Sequence, residues 1–389
     1  MGKVTSFFVA ALIIVVGIGA ARPAFAVTPI GGLGNALHVV IWVPDYYGRS
    51  VIYYTFNYAP NNGGHFFSQG ALKLPASGSS GWCNPNAVTM QNNELYIVCN
   101  STLGGVDEVL VYNTSTHQYK RITGIATDGH NYFAGSQLIA ILLDSHGNLW
   151  VSGYGTNDLL RVPSNQLGQT TPKIDRQVNH SPDMPAGLAM DTDKSIWVVG
   201  QYAGGIVVNF PDDVLNKPGN YLGSTALNPT PSFCISNGAS GCQDVPNLFN
   251  NPEGVAVFDK AIWVSNNGGN APARTIVGLK KNKDVLTPAT YGGNLSKPFA
   301  CPGGMFALPA PSGGQGSLWV NDEGYDDPHT QQTCGATQSD RGSHVGRVLQ
   351  FLADDLTQHE SSPTPVQFTD WNQITTSSPG FGGIFVQAY

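Results

Sequence analysis

Short apolar runs separated by glycine and small polar residues recur along almost the whole chain. In LDSHGNLWVSGYGTNDLLRV, residues 143–162, two such runs flank a glycine-bearing turn and a second polar break. Runs of this length, rich in β-branched and aromatic residues and bounded by turn formers, predict strands joined by hairpins. Related text returns as MDTDKSIWVVGQYAGGIVV from Met190, FDKAIWVSNNGGN from Phe258 and SGGQGSLWVNDEGYDD from Ser312, each carrying Trp-Val.

Aligning the tryptophan or its substitute gives Trp42, Tyr96, Trp150, Trp197, Trp263 and Trp319, so six units are visible. Repeats of several short strands at this spacing predict propeller blades of four strands, A to D from the axis outward. In the second unit A is 86–90, B 94–99, C 106–112 and D 119–123. In the third, A is 137–143, B 148–152 and C 158–162. A single unit cannot bury its apolar face alone, so the repeated aromatics are read first as packing between blades. The first unit lacks a strand A, and PGFGGIFV at 379–386 resembles PEGVAV at 252–257, the start of the fifth. The fold class is therefore all-β: a six-bladed β-propeller, its ring closed by the C-terminal strand completing blade one, which leaves no inner edge exposed.

Residues 1–26 stand apart. Lys3, the apolar stretch 7–20 and Ala24-Phe25-Ala26 form the pattern of a secretory signal peptide, leaving 27–389 as one propeller domain. The apolar stretch is too short to span a bilayer comfortably, so a secreted or periplasmic protein with no membrane association after cleavage is expected. Without Lys3 and Arg22, 17 of the 19 basic residues remain against 26 acidic ones, a formal charge of −9. Nucleic acid is thereby an improbable partner. The six cysteines, in an exported chain, favour disulfides. Local pairing predicts Cys83 with Cys99, through a hairpin that sets Val88 opposite Glu94, then Cys234 with Cys242 and Cys301 with Cys334, although six cysteines allow other connectivities.

The D-x-x-G-N-L-W-V turn and the P-E-G-V-A-V entry resemble the six-bladed superfamily that includes NHL-repeat proteins, the SMP-30/gluconolactonase group and the streptogramin lyases. The resemblance covers nearly all of the mature chain and concerns the fold more than any reaction. In the SMP-30 group a strand-A glutamate, with an asparagine and an aspartate from other blades, holds a divalent ion; Glu253, Asn266 or Asn267, and Asp322 match in type and approximate place. Ca²⁺ or Mg²⁺ is the cofactor this implies, as oxygen ligands suit hard cations. The lyase text W-F-T-E is here WVSG, WVVG, WVSN and WVND, a departure that withholds lyase activity.

In such a ring the loops from D to the next A and from B to C share one face, the top. Long segments at 228–251 and 322–344 fall there, and long loops on a rigid scaffold are where binding sites are usually built. Three residues past each aromatic lie Asp45, Cys99, Gly153, Gly200, Asn266 and Asp322, at the top ends of strand B. Asp45, His130 and His180 are the candidate proton-moving groups. Tyr46, Tyr154, Tyr202, Glu323 and Tyr325 are the candidate ligand contacts. The competing reading of the Asp and Asn set is that it caps strands and turns. Two functions are expected from this: a monomeric binding propeller for a small molecule, glycan or extracellular protein, or a metal-dependent lactonase or lyase.

Overall fold

The computed structural model describes residues 37–46, 48–58, 65–76, 81–179, 182–201, 205–258, 261–268, 275–282, 285–291, 299, 301–309, 316–324, 345–352, 356, 366–370 and 383–388. Six sheets, each with four antiparallel strands, form the six blades of a propeller. Blade two, for example, runs Asn84–Gln91, Glu94–Asn100, Glu108–Asn113 and Gln118–Ile122, and blade five runs Pro252–Phe258, Ala261–Asn266, Thr275–Asn282 and Val285–Tyr291. Ring closure is as the sequence implies. The strand Phe385–Ala388 pairs antiparallel with Val39–Trp42, so blade one is Phe385–Ala388, Leu37–Asp45, Ser50–Tyr58 and His65–Lys73. The leader 1–26 lies outside the described residues, among which no helix is long and apolar enough to cross a membrane.

The repeated aromatics explain why the units need one another. All six are at most 3% exposed. Trp42 packs with Val88 and Ile97 of blade two, Tyr96 with Val151 of blade three, and Trp150 with Val198 of blade four. Trp197 meets Val264 of blade five, Trp263 meets Val320 of blade six, and Trp319 meets Ile41 of blade one. One aromatic per blade thus fills each of the six interfaces, and each contributes about 3 kcal/mol or more of burial that no isolated blade could keep.

The polar residues of the repeat hold those aromatics in place. Asp144 Oδ1 accepts the backbone N–H groups of His146 and Asn148, and Oδ2 accepts the Trp150 indole N–H, each at 2.9 Å. Gly147, at φ +74°, lets this turn close where a Cβ would be strained. Asp191 repeats the arrangement, accepting Thr192 N–H at 2.6 Å and Trp197 Nε1–H at 2.9 Å. One carboxylate therefore fixes both the A–B turn and the indole that seals the next blade.

Two expectations need correction. In blade two Gln91 faces Glu94 and Val88 faces Ile97. The turn is the two-residue Asn92-Asn93, with Asn92 at φ +53°, which tightens the hairpin beyond the expected register. Pro85 then faces Cys99, and the Cys83–Cys99 bridge still forms. The segment 228–251 is not all loop either. It contains strand D of blade four, Phe233–Ser236, and a fifth strand, Gln243–Asp244, paired parallel to it and tied by the Cys234–Cys242 bridge. Cys301 is disulfide-bonded as well, while its expected partner Cys334 lies outside the described residues.

Candidate functional site

The innermost strands of all six blades surround one axial channel of about 820 Å³. Its wall is apolar along most of its length, with Val88, Leu142, Leu188, Val257, Phe306 and Phe385 among the residues facing it. At the top, the strands crowd together through their bulges. A Cβ on Gly254 would lie 2.3 Å from Gly303 O, and one on Gly187 would lie 2.5 Å from Glu253 O. Only glycine permits that approach. Ser265 Oγ joins the same two blades, donating to Gly303 O and accepting from Gly254 N–H, both at 2.7 Å.

Glu253 stands in this wall, at the top of strand A of blade five and 5% exposed. Burial pushes its carboxyl up to about 8, from an ordinary 4.5. Asn267 donates its amide to Glu253 Oε2, and Asn251 donates in turn to Asn267 Oδ1. Tyr154, half-buried on blade three, donates its hydroxyl to Gln201 Oε1 at 2.9 Å. Its phenol is pushed up by burial and then by the Glu253 charge. Glu253 is thus the polar group at this end of the channel, with Asn267 bonded to it and Tyr154 close enough to feel its charge.

The other sequence candidates are spread around the ring. Asp45 is 1% exposed and closes its own turn, accepting Gly48 N–H at 3.0 Å and Ser50 Oγ–H at 3.1 Å. Asp322 Oδ1 accepts Cys301 N–H at 2.6 Å. Asn266 accepts Asn250 N–H at 3.2 Å and donates to Leu248 O at 3.0 Å. These are the strand-capping roles that Asp and Asn take at turns. Only Asn267 among the asparagine and aspartate candidates touches Glu253. Among the described residues no group of three His, Cys, Asp or Glu side chains is arranged to hold a metal ion.

Tyr46 is 6% exposed, with its hydroxyl bonded to Thr102 Oγ1, so it packs beneath the top face. His130 is exposed in the loop entering blade three, edge-on to Tyr132 at 4.6 Å. The backbone of Glu323 lies in the strand Ser317–Gly324, while His180, Tyr202 and Tyr325 lie outside the described residues. Gln201, Asn251 and the apolar wall were missed from the sequence. The wall has a signal in hindsight, since PAGLAM, PEGVAVF and PGGMFAL share proline, a small pair and a run of apolar residues.

No family model and no curated protein matches the chain. Solved structures do. Virginiamycin B lyase from Staphylococcus aureus aligns at 12% identity and TM-score 0.49, covering 90% of each chain. A protein of unknown function from Bacteroides caccae aligns at 11% and 0.50, covering 90% of this chain and 98% of that one. The PQQ-bound aldose sugar dehydrogenase from Streptomyces coelicolor aligns at 13% and 0.45, covering 79% and 89%. Identities this low speak for architecture alone. With five four-stranded sheets and one of five strands, each interface sealed by one aromatic, the chain has the fold of a six-bladed β-propeller.

Proposed function

We propose that this chain is an exported binding propeller that takes a small molecule into its axial channel from the top face. The observation that carries the reading is the channel itself: its size falls in the range of small-ligand sites, with an apolar wall and a few convergent polar groups at one end. Two disulfides support an extracellular or periplasmic setting.

A thermal-shift screen of small molecules against the wild type and Leu188→Trp tests it. Leu188 lines the channel, and an indole there narrows it. Ligands that raise Tm in the wild type are expected to lose their effect in the variant. Ligands unaffected by the block place the site on the top-face loops instead. The competing reading, a Ca²⁺- or Mg²⁺-dependent lactonase or lyase, draws on the Glu253–Asn267 contact. It requires stoichiometric cation binding to metal-stripped protein that is lost in Glu253→Gln.

A further inference from the structure

The ligand class follows from the charge of the wall. Among the described residues that line the channel only two are ionisable, Glu253 at its upper end and Asp191 at its lower end, and none is Lys, Arg or His. The Asp191 carboxylate is already spent on Trp197 Nε1–H and Thr192 N–H. Glu253 differs. Its Oε2 takes the Asn267 amide, and among the described residues no hydrogen bond reaches Oε1.

A ligand carboxylate or phosphate would meet no cation in this wall among the described residues, and above about pH 8, where Glu253 is ionised, it would face a carboxylate of its own sign. Burying it unpaired costs several kcal/mol. An alcohol would gain one neutral hydrogen bond. A protonated amine would gain an ion pair and a charge-assisted hydrogen bond in a site of low dielectric, about twice the strength of the neutral bond. The Asn251–Asn267 relay fixes the carboxylate so that the incoming nitrogen does not have to order it. The chain's net charge of −7 also favours approach of a cation. Below Glu253 the wall is hydrocarbon and aromatic, with Phe306 and Phe385 packed edge-to-face at 5.0 Å. That part of the channel suits a compact apolar body.

Resting on the channel reading above, we propose that the axial channel selects a small apolar molecule bearing one basic nitrogen, with the nitrogen held by Glu253 at the upper end and the hydrocarbon body between the inner strands.

Three probes sharing one rigid body separate the head groups: 1-adamantanamine, 1-adamantanol and 1-adamantanecarboxylate, titrated calorimetrically into the full chain at pH 9, where Glu253 has released its proton and the amine keeps its own. The amine is expected to bind at least about tenfold more tightly than the alcohol, the difference an ion pair of about 1.4 kcal/mol gives, and the carboxylate most weakly. In Glu253→Gln the amine should fall to the level of the alcohol, whose own affinity stays within about twofold. Leu188→Trp should weaken binding of all three, and the amine-to-alcohol ratio in the wild type carries the test where Glu253→Gln fails to fold. Alcohol binding equal to amine binding, or an amine indifferent to Glu253→Gln, overturns the amine inference and leaves the channel reading standing. No binding by any probe overturns both.

Discussion

Replacing Glu253 by glutamine removes a proton-binding group and keeps the side chain's shape, so its effect on stability should depend on pH in a defined direction. Glu253 is 5% exposed, and its carboxyl is raised from 4.5 to about 8, with burial the cause. Between those values the folded chain holds a proton that the unfolded chain has released. Stability therefore falls as pH rises from about 4.5 through about 8, the reverse of an ordinary salt-bridged carboxylate. At about 1.4 kcal/mol per pH unit, the ceiling for the whole interval is about 5 kcal/mol. Urea unfolding of wild type and Glu253→Gln at pH 5, 6.5 and 8 reads it out. The variant should gain on the wild type at each step, by several kcal/mol in all. Asp158, also raised by burial, tilts both proteins alike and drops out of the difference. A stability difference that stays constant from pH 5 to pH 8 would refute the reasoning, because it would mean that the carboxyl is solvated or already paired.

Three further outcomes follow from the scaffold. Asp144→Ala should cost about 3 kcal/mol in urea unfolding, since it orphans the fully buried Trp150 indole and two turn N–H groups. Gly254→Ala should cost about 2 kcal/mol or more, because its Cβ would meet Gly303 O at 2.3 Å, whereas Gly168→Ala, with nothing within 4 Å, should be close to neutral in the same assay. Deleting the closing strand Phe385–Ala388 exposes the inner edge at Val39–Trp42 and opens one of the six interfaces. Calorimetry should then show loss of the single cooperative transition, and a retained one would mean that the ring closes by other means.

Much of the scaffold was legible because its signal is local and repeated. Each Trp-Val pair, and each turn that ends in it, marks the hairpin of strands A and B, and strand A of blade one could be recognised at the C-terminus from its likeness to PEGVAV. Strand D of blade four was hidden. Phe233–Ser236 sits among Pro229, Pro231 and two cysteines, whose turn character outweighs a four-residue run. The Val88–Glu94 register failed for a similar reason, since nothing in the alternation separates a two-residue turn from a longer one.

The candidate site was legible at Glu253, Asn267 and Tyr154. The position of Glu253 as the second residue of a strand A placed it on the axis, and Asn267 followed from strand order. Asn266 and Asp322 share that height in the ring, but height does not set direction, and both turn toward loop backbone. The apolar channel wall could not be told from blade-interface packing, because Leu188 and Val257 read as ordinary core residues until six strands converge around them.

The most direct test of the central claim is a crystal structure of the full chain with 1-adamantanamine. The expected result is one molecule inside the axial channel, its nitrogen about 3 Å from the Glu253 carboxylate and its cage against the inner strands. A ligand seated on the top-face loops with the channel unoccupied, or a nitrogen turned away from Glu253, would contradict it.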